Sequence, residues 1–183
     1  MKHCIKDRNR GNMQYNEALL VVDMQNEGLL NREVFHKQEL IHHVNNLISF
    51  FRKNKKSIFF IRHTNKSFLE KNTDGWQICE ELDLSKEDII INKRNLNVFR
   101  EPHFLSLLKE YQVTKVIITG LISNVCIKAA CFGALEAGFP VTLISDGHST
   151  FQKNAEKIVS DCNLYLKKQG VEVISTREFL RNH

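Results

Sequence analysis

The sequence predicts an α/β fold of three layers, with helices on both faces of a doubly wound, mostly parallel sheet of six strands. Three observations carry this. Short apolar runs recur without the alternation of a half-wet strand, so each reads as buried on both faces. Segments of helical periodicity separate them, as crossovers between parallel strands require. Glycine or a charged residue stops several of the runs, where strand gives way to loop.

Ala18-Leu-Leu-Val-Val22 is the first run, stopped by Asp23. Leu40, Val44, Leu47, Ile48 and Phe51 then recur at helical spacing. The cations of Arg52-Lys-Asn-Lys-Lys56 suit the end of that helix. Ser57-Ile-Phe-Phe-Ile61 and Ile89-Ile-Ile91 are the second and third strands. Between them, residues 62–88 lack a helical period, and links this long in compact domains are often functional. Pro102 opens a helix bearing Phe104, Leu105, Leu108 and Tyr111. Lys115-Val-Ile-Ile-Thr119 is the fourth strand, ended by Gly120. A helix over 125–137 closes at Gly138, and Val141-Thr-Leu-Ile144 is the fifth strand. Ile158, Cys162 and Tyr165 share one face of the next helix, which Gly170 ends. Val171-Glu-Val-Ile174 is the last strand, and a short helix over 176–181 follows. The expected strand order is 3-2-1-4-5-6, with strands one and four adjacent at the switch point. Residues 1–16 read as a polar arm and 17–183 as one domain.

The composition narrows the function. The chain has 183 residues, 42% hydrophobic and 26% charged, close to globular averages. Lys and Arg number 26 against 21 Asp and Glu, and the excess is scattered. A small-molecule substrate is therefore expected, with no nucleic-acid partner. No run approaches the ~18 apolar residues of a membrane span, and none near Met1 suits a signal peptide. Five cysteines without a C-x-x-C suggest reduced thiols and a cytoplasmic setting. No two glycines form G-x-G, so the dinucleotide fingerprint is missing, as is G-x-S-x-G. His36, His42 and His43 read as surface histidines, so neither metal nor cofactor is expected.

Open parallel sheets bind ligands beyond the carboxyl ends of their strands. Three reactive residues stand there: Asp23 after strand one, Lys93 after strand three and Cys126 after strand four. Alone, each reads as ordinary: a cap, a solvated lysine, a buried thiol. Together they supply a nucleophile, a proton carrier and an ammonium, a set fit for acyl transfer through a thiol. A helix N-terminus and a nearby ammonium favour a thiolate, with activated thiols at about 3.5–7.5 against ~8.5 when free. Strand three lies about 10 Å from strand one, within reach of a lysine.

Ala18-Leu-Leu-Val-Val-Asp-Met-Gln-Asn26, Ile118-Thr-Gly-Leu-Ile-Ser-Asn-Val-Cys-Ile127 and Ser145-Asp-Gly-His-Ser149 resemble the isochorismatase-like cysteine hydrolases. The resemblance runs from about Ala18 to Thr176. It implies an Asp–Lys–Cys triad at Asp23, Lys93 and Cys126. It also implies a cis peptide at Leu121–Ile122, with the Ile122 and Cys126 amides as oxyanion hole. Homo-oligomers, dimers or tetramers, are common in the family. Ser123-Asn124 stands where Thr-Asp is usual. Arg62-His63-Thr64-Asn65 lacks the Asp-x-His of the metal-dependent nicotinamidases, which implies no catalytic metal. Asn72-Thr-Asp-Gly-Trp-Gln-Ile78 is similar to metal-independent branches that include streptothricin-hydrolase-like amidases.

Candidate pocket residues are Arg62, His63, Trp76, Asn97 and Phe99. The alternatives are a strand-end ion pair for the first two, loop packing for Trp76 and core for Phe99. Asp146 is expected to hydrogen-bond structurally, and Cys131 and Cys162 to lie in the core. Expected is hydrolysis of a small amide-like C–N bond through a thioester. Open alternatives are an isochorismate-type vinyl-ether hydrolase, or a non-catalytic or redox-thiol binding domain.

Overall fold

A computed structural model describes residues 15–183. The expected arm over 1–16 thus lies outside the described residues except for its last two. Asn16 is tied to the body, its side-chain amide donating to the Tyr111 and Gln112 carbonyls.

Six strands form one sheet: β1 (Glu17–Val22), β2 (Ser57–His63), β3 (Ile89–Lys93), β4 (Lys115–Leu121), β5 (Val141–Ser149) and β6 (Glu172–Ile174). The order is β3-β2-β1-β4-β5-β6, and every pairing is parallel. The helices are α1 (Asn26–Leu29), α2 (Lys37–Lys53), α3 (Phe104–Glu110), α4 (Lys128–Glu136), α5 (Ala155–Lys168) and α6 (Thr176–Asn182). None is long and apolar enough to cross a membrane among the described residues.

Successive strand residues point to opposite faces, and β1 uses both. Ala18, Leu20 and Val22 pack with Phe104 and Leu108 of α3, Ala130 and Cys131 of α4, and Leu166 of α5. Leu19 and Val21 pack with Leu40, Val44 and Phe51 of α2 and Phe179 of α6. Burying both faces is what an unalternating run does best, since each large apolar side chain contributes about 1.5–3 kcal/mol on leaving water.

Several elements differ from expectation. β3 is an edge strand with a single neighbour, so Ile90 stays 39% exposed instead of buried. β5 runs on to Ser149, past a register shift opposite Ile118–Gly120 of β4. Tyr165 faces solvent, where the Lys128 ammonium covers its ring at 4.3 Å. Helix α1 and a 3-10 turn at Val98–Arg100 have no counterpart in the periodicity. The stretch 64–88 holds no helix or strand, only a bridge from Ile78 to Gln25 that folds it back over the end of β1.

One glycine sets the geometry of the switch point. Gly120 pairs with Val22 and has φ of +117°. A Cβ there would lie 2.1 Å from the Val22 carbonyl oxygen. Only glycine allows β4 to pass β1 so closely in that conformation. The chain ends carrying Asp23 and Cys126 are thereby brought together.

Candidate active site

Asp23 directly follows β1, at φ +50°, a left-handed conformation that Asp tolerates better than most residues. Its amide donates to the Ile61 carbonyl at 2.8 Å, pinning the turn to β2. Lys93 is the last residue of β3, in register with His63 of β2. Cys126 sits in a π-helical turn, Ser123–Ile127, between β4 and α4.

The three converge on the Lys93 ammonium. Lys93 is fully buried. Its Nζ lies 2.8 Å from Asp23 Oδ2, 3.1 Å from His63 Nδ1 and 3.3 Å from Cys126 Sγ. Three N–H groups thus meet three acceptors. An ammonium has no lone pair, so His63 Nδ1 accepts and the ring proton sits on Nε2. Burial, then the nearby Lys93 charge, lowers the His63 pKa and keeps the ring neutral.

The thiol departs from expectation. Cys126 is pushed up to about 12, first by burial and then by the Asp23 charge. Lys93 pulls the other way without prevailing. The resting site therefore holds a thiol beside a carboxylate–ammonium pair, not a preformed thiolate. A proton acceptor must act when a substrate arrives, and Asp23 is within reach of the same ammonium.

The turn before Cys126 is anchored from behind. The Leu121–Ile122 peptide is cis. Ser123 is fully buried, and its hydroxyl donates to His148 Nδ1 at 2.8 Å. His148 Nε2 in turn meets Asn163 Oδ1 at 2.9 Å. The Cys162 thiol donates to the Ser123 carbonyl at 3.1 Å. Among the described residues the Ile122 amide has no hydrogen-bond acceptor. Asn124 is exposed, and its amide donates to Gln152 Oε1. Asp146 accepts from the Thr176 amide and hydroxyl, a structural bond.

A cavity of about 430 Å³ opens over Asp23 and Cys126. Of the expected pocket residues, His63 lines it; Arg62, Trp76, Asn97 and Phe99 do not. Trp76 is buried under the long loop, its indole donating to Thr64 Oγ1 at 2.8 Å. Arg62 stacks on that indole at 3.3 Å and bonds Asn92. Asn97 caps the 3-10 turn by accepting from the Phe99 amide. Phe99 packs on Phe104 in the core. Walls not foreseen come from loops: Arg32, Phe68, Leu96 and Phe151. Gln25, also on the wall, clamps His63 by accepting from its amide and donating to its carbonyl. Its place in Asp-Met-Gln was the signal for it; the loop residues had none.

Among the described residues no three His, Cys, Asp or Glu side chains are grouped to hold a metal ion. Two residues before His63 stands Ile61, a core side chain where an Asp-x-His pair would need a carboxylate.

The profile of the isochorismatase domain matches residues 17–178. The chain belongs to the isochorismatase family. It is a hydrolase by that membership. It is 27% identical over 139 residues to the isochorismatase family protein YddQ of Bacillus subtilis, covering 73% of this chain and 77% of that one. It is 26% identical over 153 residues to nicotinamidase 3 of Arabidopsis thaliana, covering 74% of each. A streptothricin hydrolase of Streptomyces noursei is 28% identical over 90 residues, 49% of this chain and 33% of that one. Among solved structures, a cysteine hydrolase from Pseudomonas syringae superposes with a TM-score of 0.83 at 18% identity, covering 91% of both chains. An isochorismatase-like hydrolase from Alkaliphilus metalliredigens gives 0.81 at 20% identity, covering 91% of this chain and 98% of its own. At these identities the superpositions show the fold.

Proposed function

We propose that this family member hydrolyses a small amide-like C–N bond through a thioester on Cys126. The observation that carries the reading is the convergence of Asp23, Cys126 and His63 on one buried ammonium at the floor of a cavity. Asp23 takes the Cys126 thiol proton as the sulfur attacks the substrate carbonyl carbon. The carbonyl oxygen becomes an oxyanion, received by the Ile122 and Cys126 amides. Collapse breaks the C–N bond, and the departing amine takes the proton back from Asp23. Water then gives a proton to Asp23 and attacks the thioester. The acid leaves, and Cys126 recovers its proton. Lys93 stays charged throughout, holding the carboxylate and steadying the sulfur as its charge develops.

The high resting pKa of the thiol fits this order of events, because deprotonation belongs to the attack and not to the free enzyme. Ammonia release from a panel of small primary amides, set beside turnover of a vinyl ether, tests the reading. The expected result is hydrolysis of at least one amide, lost by about 1,000-fold or more in Cys126→Ala. Amide turnover that survives in Cys126→Ala, or cleavage of the vinyl ether alone, overturns it.

A further inference from the structure

We infer that Glu27 is a specificity residue: by occupying Arg32 it leaves the cavity without a free cation among the described residues, so the site takes electrically neutral carboxamides with apolar acyl groups and rejects carboxylate-bearing ones. This rests on the amide-hydrolase reading above and names its substrate class.

The charges at the cavity cancel in pairs. Among the described residues, Asp23, Glu27 and Arg32 are the charged residues on its wall, with Lys93 buried behind. Lys93 holds Asp23 at 2.8 Å. Arg32 turns Nη2 and Nε onto Glu27 Oε1, at 2.8 and 3.1 Å. Glu27 Oε2 accepts from Asn31 at 2.9 Å, so both its oxygens are engaged. The remaining ring on the wall, His63, is neutral. A carboxylate entering here gives up its water and finds no unpaired cation among the described residues, which is costly. Discrimination of this kind works by withholding a partner from the wrong ligand.

The apolar rim supports the other half. Phe68, Leu96 and Phe151 border the cavity with 54%, 53% and 38% of their surface exposed. Apolar groups clustered and exposed at a pocket mouth mark a surface that an apolar ligand covers. Phe68 and Phe151 also flank the Arg32 guanidinium, 5.9 and 5.6 Å from it, so the rim and the ion pair form one wall. One polar atom at the floor is left over: Asp23 Oδ1 is buried without a partner among the described residues. A neutral primary amide offers it an N–H.

The test uses the full chain and three probes that share one benzamide ring: benzamide, 3-carboxybenzamide and 3-(aminomethyl)benzamide. The readout is the concentration giving the half-maximal rise in melting temperature at pH 7.5, which follows binding whether or not turnover occurs. Benzamide is expected to act at a concentration at least tenfold below either charged probe. Equal potency, preference for 3-carboxybenzamide, or no response to any of the three overturns the inference. In Glu27→Gln, which uncovers Arg32, the ratio of the benzamide and 3-carboxybenzamide concentrations should shift at least fivefold toward the carboxylate. An unchanged ratio overturns the role given to Glu27. Ammonia release is followed alongside. Selective binding of benzamide with no amide of the panel hydrolysed overturns amide hydrolysis and leaves the charge selection standing.

Discussion

Replacing Lys93 with methionine removes a charge and keeps the length of the side chain. The Nζ it removes lies 2.8 Å from Asp23 Oδ2 and has no solvent contact. At an effective dielectric of about 20, unit charges that close attract by about 6 kcal/mol. Desolvation offsets much of this, and what the substitution reveals is a carboxylate left alone in the interior. Breaking a buried pair from one side costs about 3–5 kcal/mol. Lys93→Met should lose about that much stability, and so should Asp23→Asn, which strands a fully buried ammonium. The double variant strands neither charge, so its loss should fall short of the summed single losses by at least about 2 kcal/mol. Urea unfolding of all four proteins at pH 7, with slopes compared, measures this. The single variants should also melt roughly 10 °C below the parent, at about 2–4 °C per kcal/mol. Additive losses, or single variants within about 1 kcal/mol of the parent, would mean that Lys93 and Asp23 are not a coupled buried pair.

Three further outcomes follow from the same geometry. Because burial and Asp23 hold the Cys126 thiol up to about 12, iodoacetamide should label it slowly at pH 7 and faster toward pH 10. Asp23→Asn should speed that labelling and Lys93→Met should slow it, as peptide mapping at fixed pH will show; rapid labelling of Cys126 at pH 7 contradicts the assignment. His63 and His148 both have pKa values lowered from 6.5, chiefly by burial. The unfolded chain therefore binds their protons first, so stability is full above pH 6.5 and falls as pH drops below it. Glu27, Glu101 and Glu172, lowered from 4.5, act only at more acid pH, so a melting temperature flat between pH 7 and 5 counts against the buried neutral rings. Gly120→Ala should cost about 3 kcal/mol or more, through positive φ and a clash with Val22. Gly138→Ala, also at positive φ but with nothing within 4 Å of the new Cβ, should cost only about 1 kcal/mol; equal losses in chemical denaturation would remove the clash from the account.

The sheet was legible because its strands are buried on both faces and say so in unbroken apolar runs. The strand order is the usual one for a doubly wound sheet, and it brings together Asp23 and Cys126, just after β1 and β4, and Lys93, the last residue of β3. What failed to show was whatever depends on a neighbour. Ile90 reads like Ile61, yet it lies on an edge with no strand beyond it. β5 continues to Ser149, past a register shift against β4 that no run of apolar residues announces. The pocket walls come from 64–88 and from short loops near Arg32, Leu96 and Phe151, whose side-chain directions no period encodes. Trp76, Asn97 and Phe99 were plausible by position and turned inward to cap or pack instead. The state of the thiol was the least visible feature. A helix start and a lysine argued for a thiolate, while burial and the Asp23 charge, which decide the matter, exist only in the folded chain.

The most direct measurement is intact-mass spectrometry of the protein, acid-quenched within milliseconds to seconds of mixing with each amide of the panel. For at least one amide the expected result is a mass gain equal to the acyl group, mapped to Cys126 and released as the free acid on longer incubation. Cys126→Ala should carry no such adduct. Hydrolysis of that amide with no adduct at any quench time, or an adduct that persists in Cys126→Ala, would contradict a thioester on Cys126.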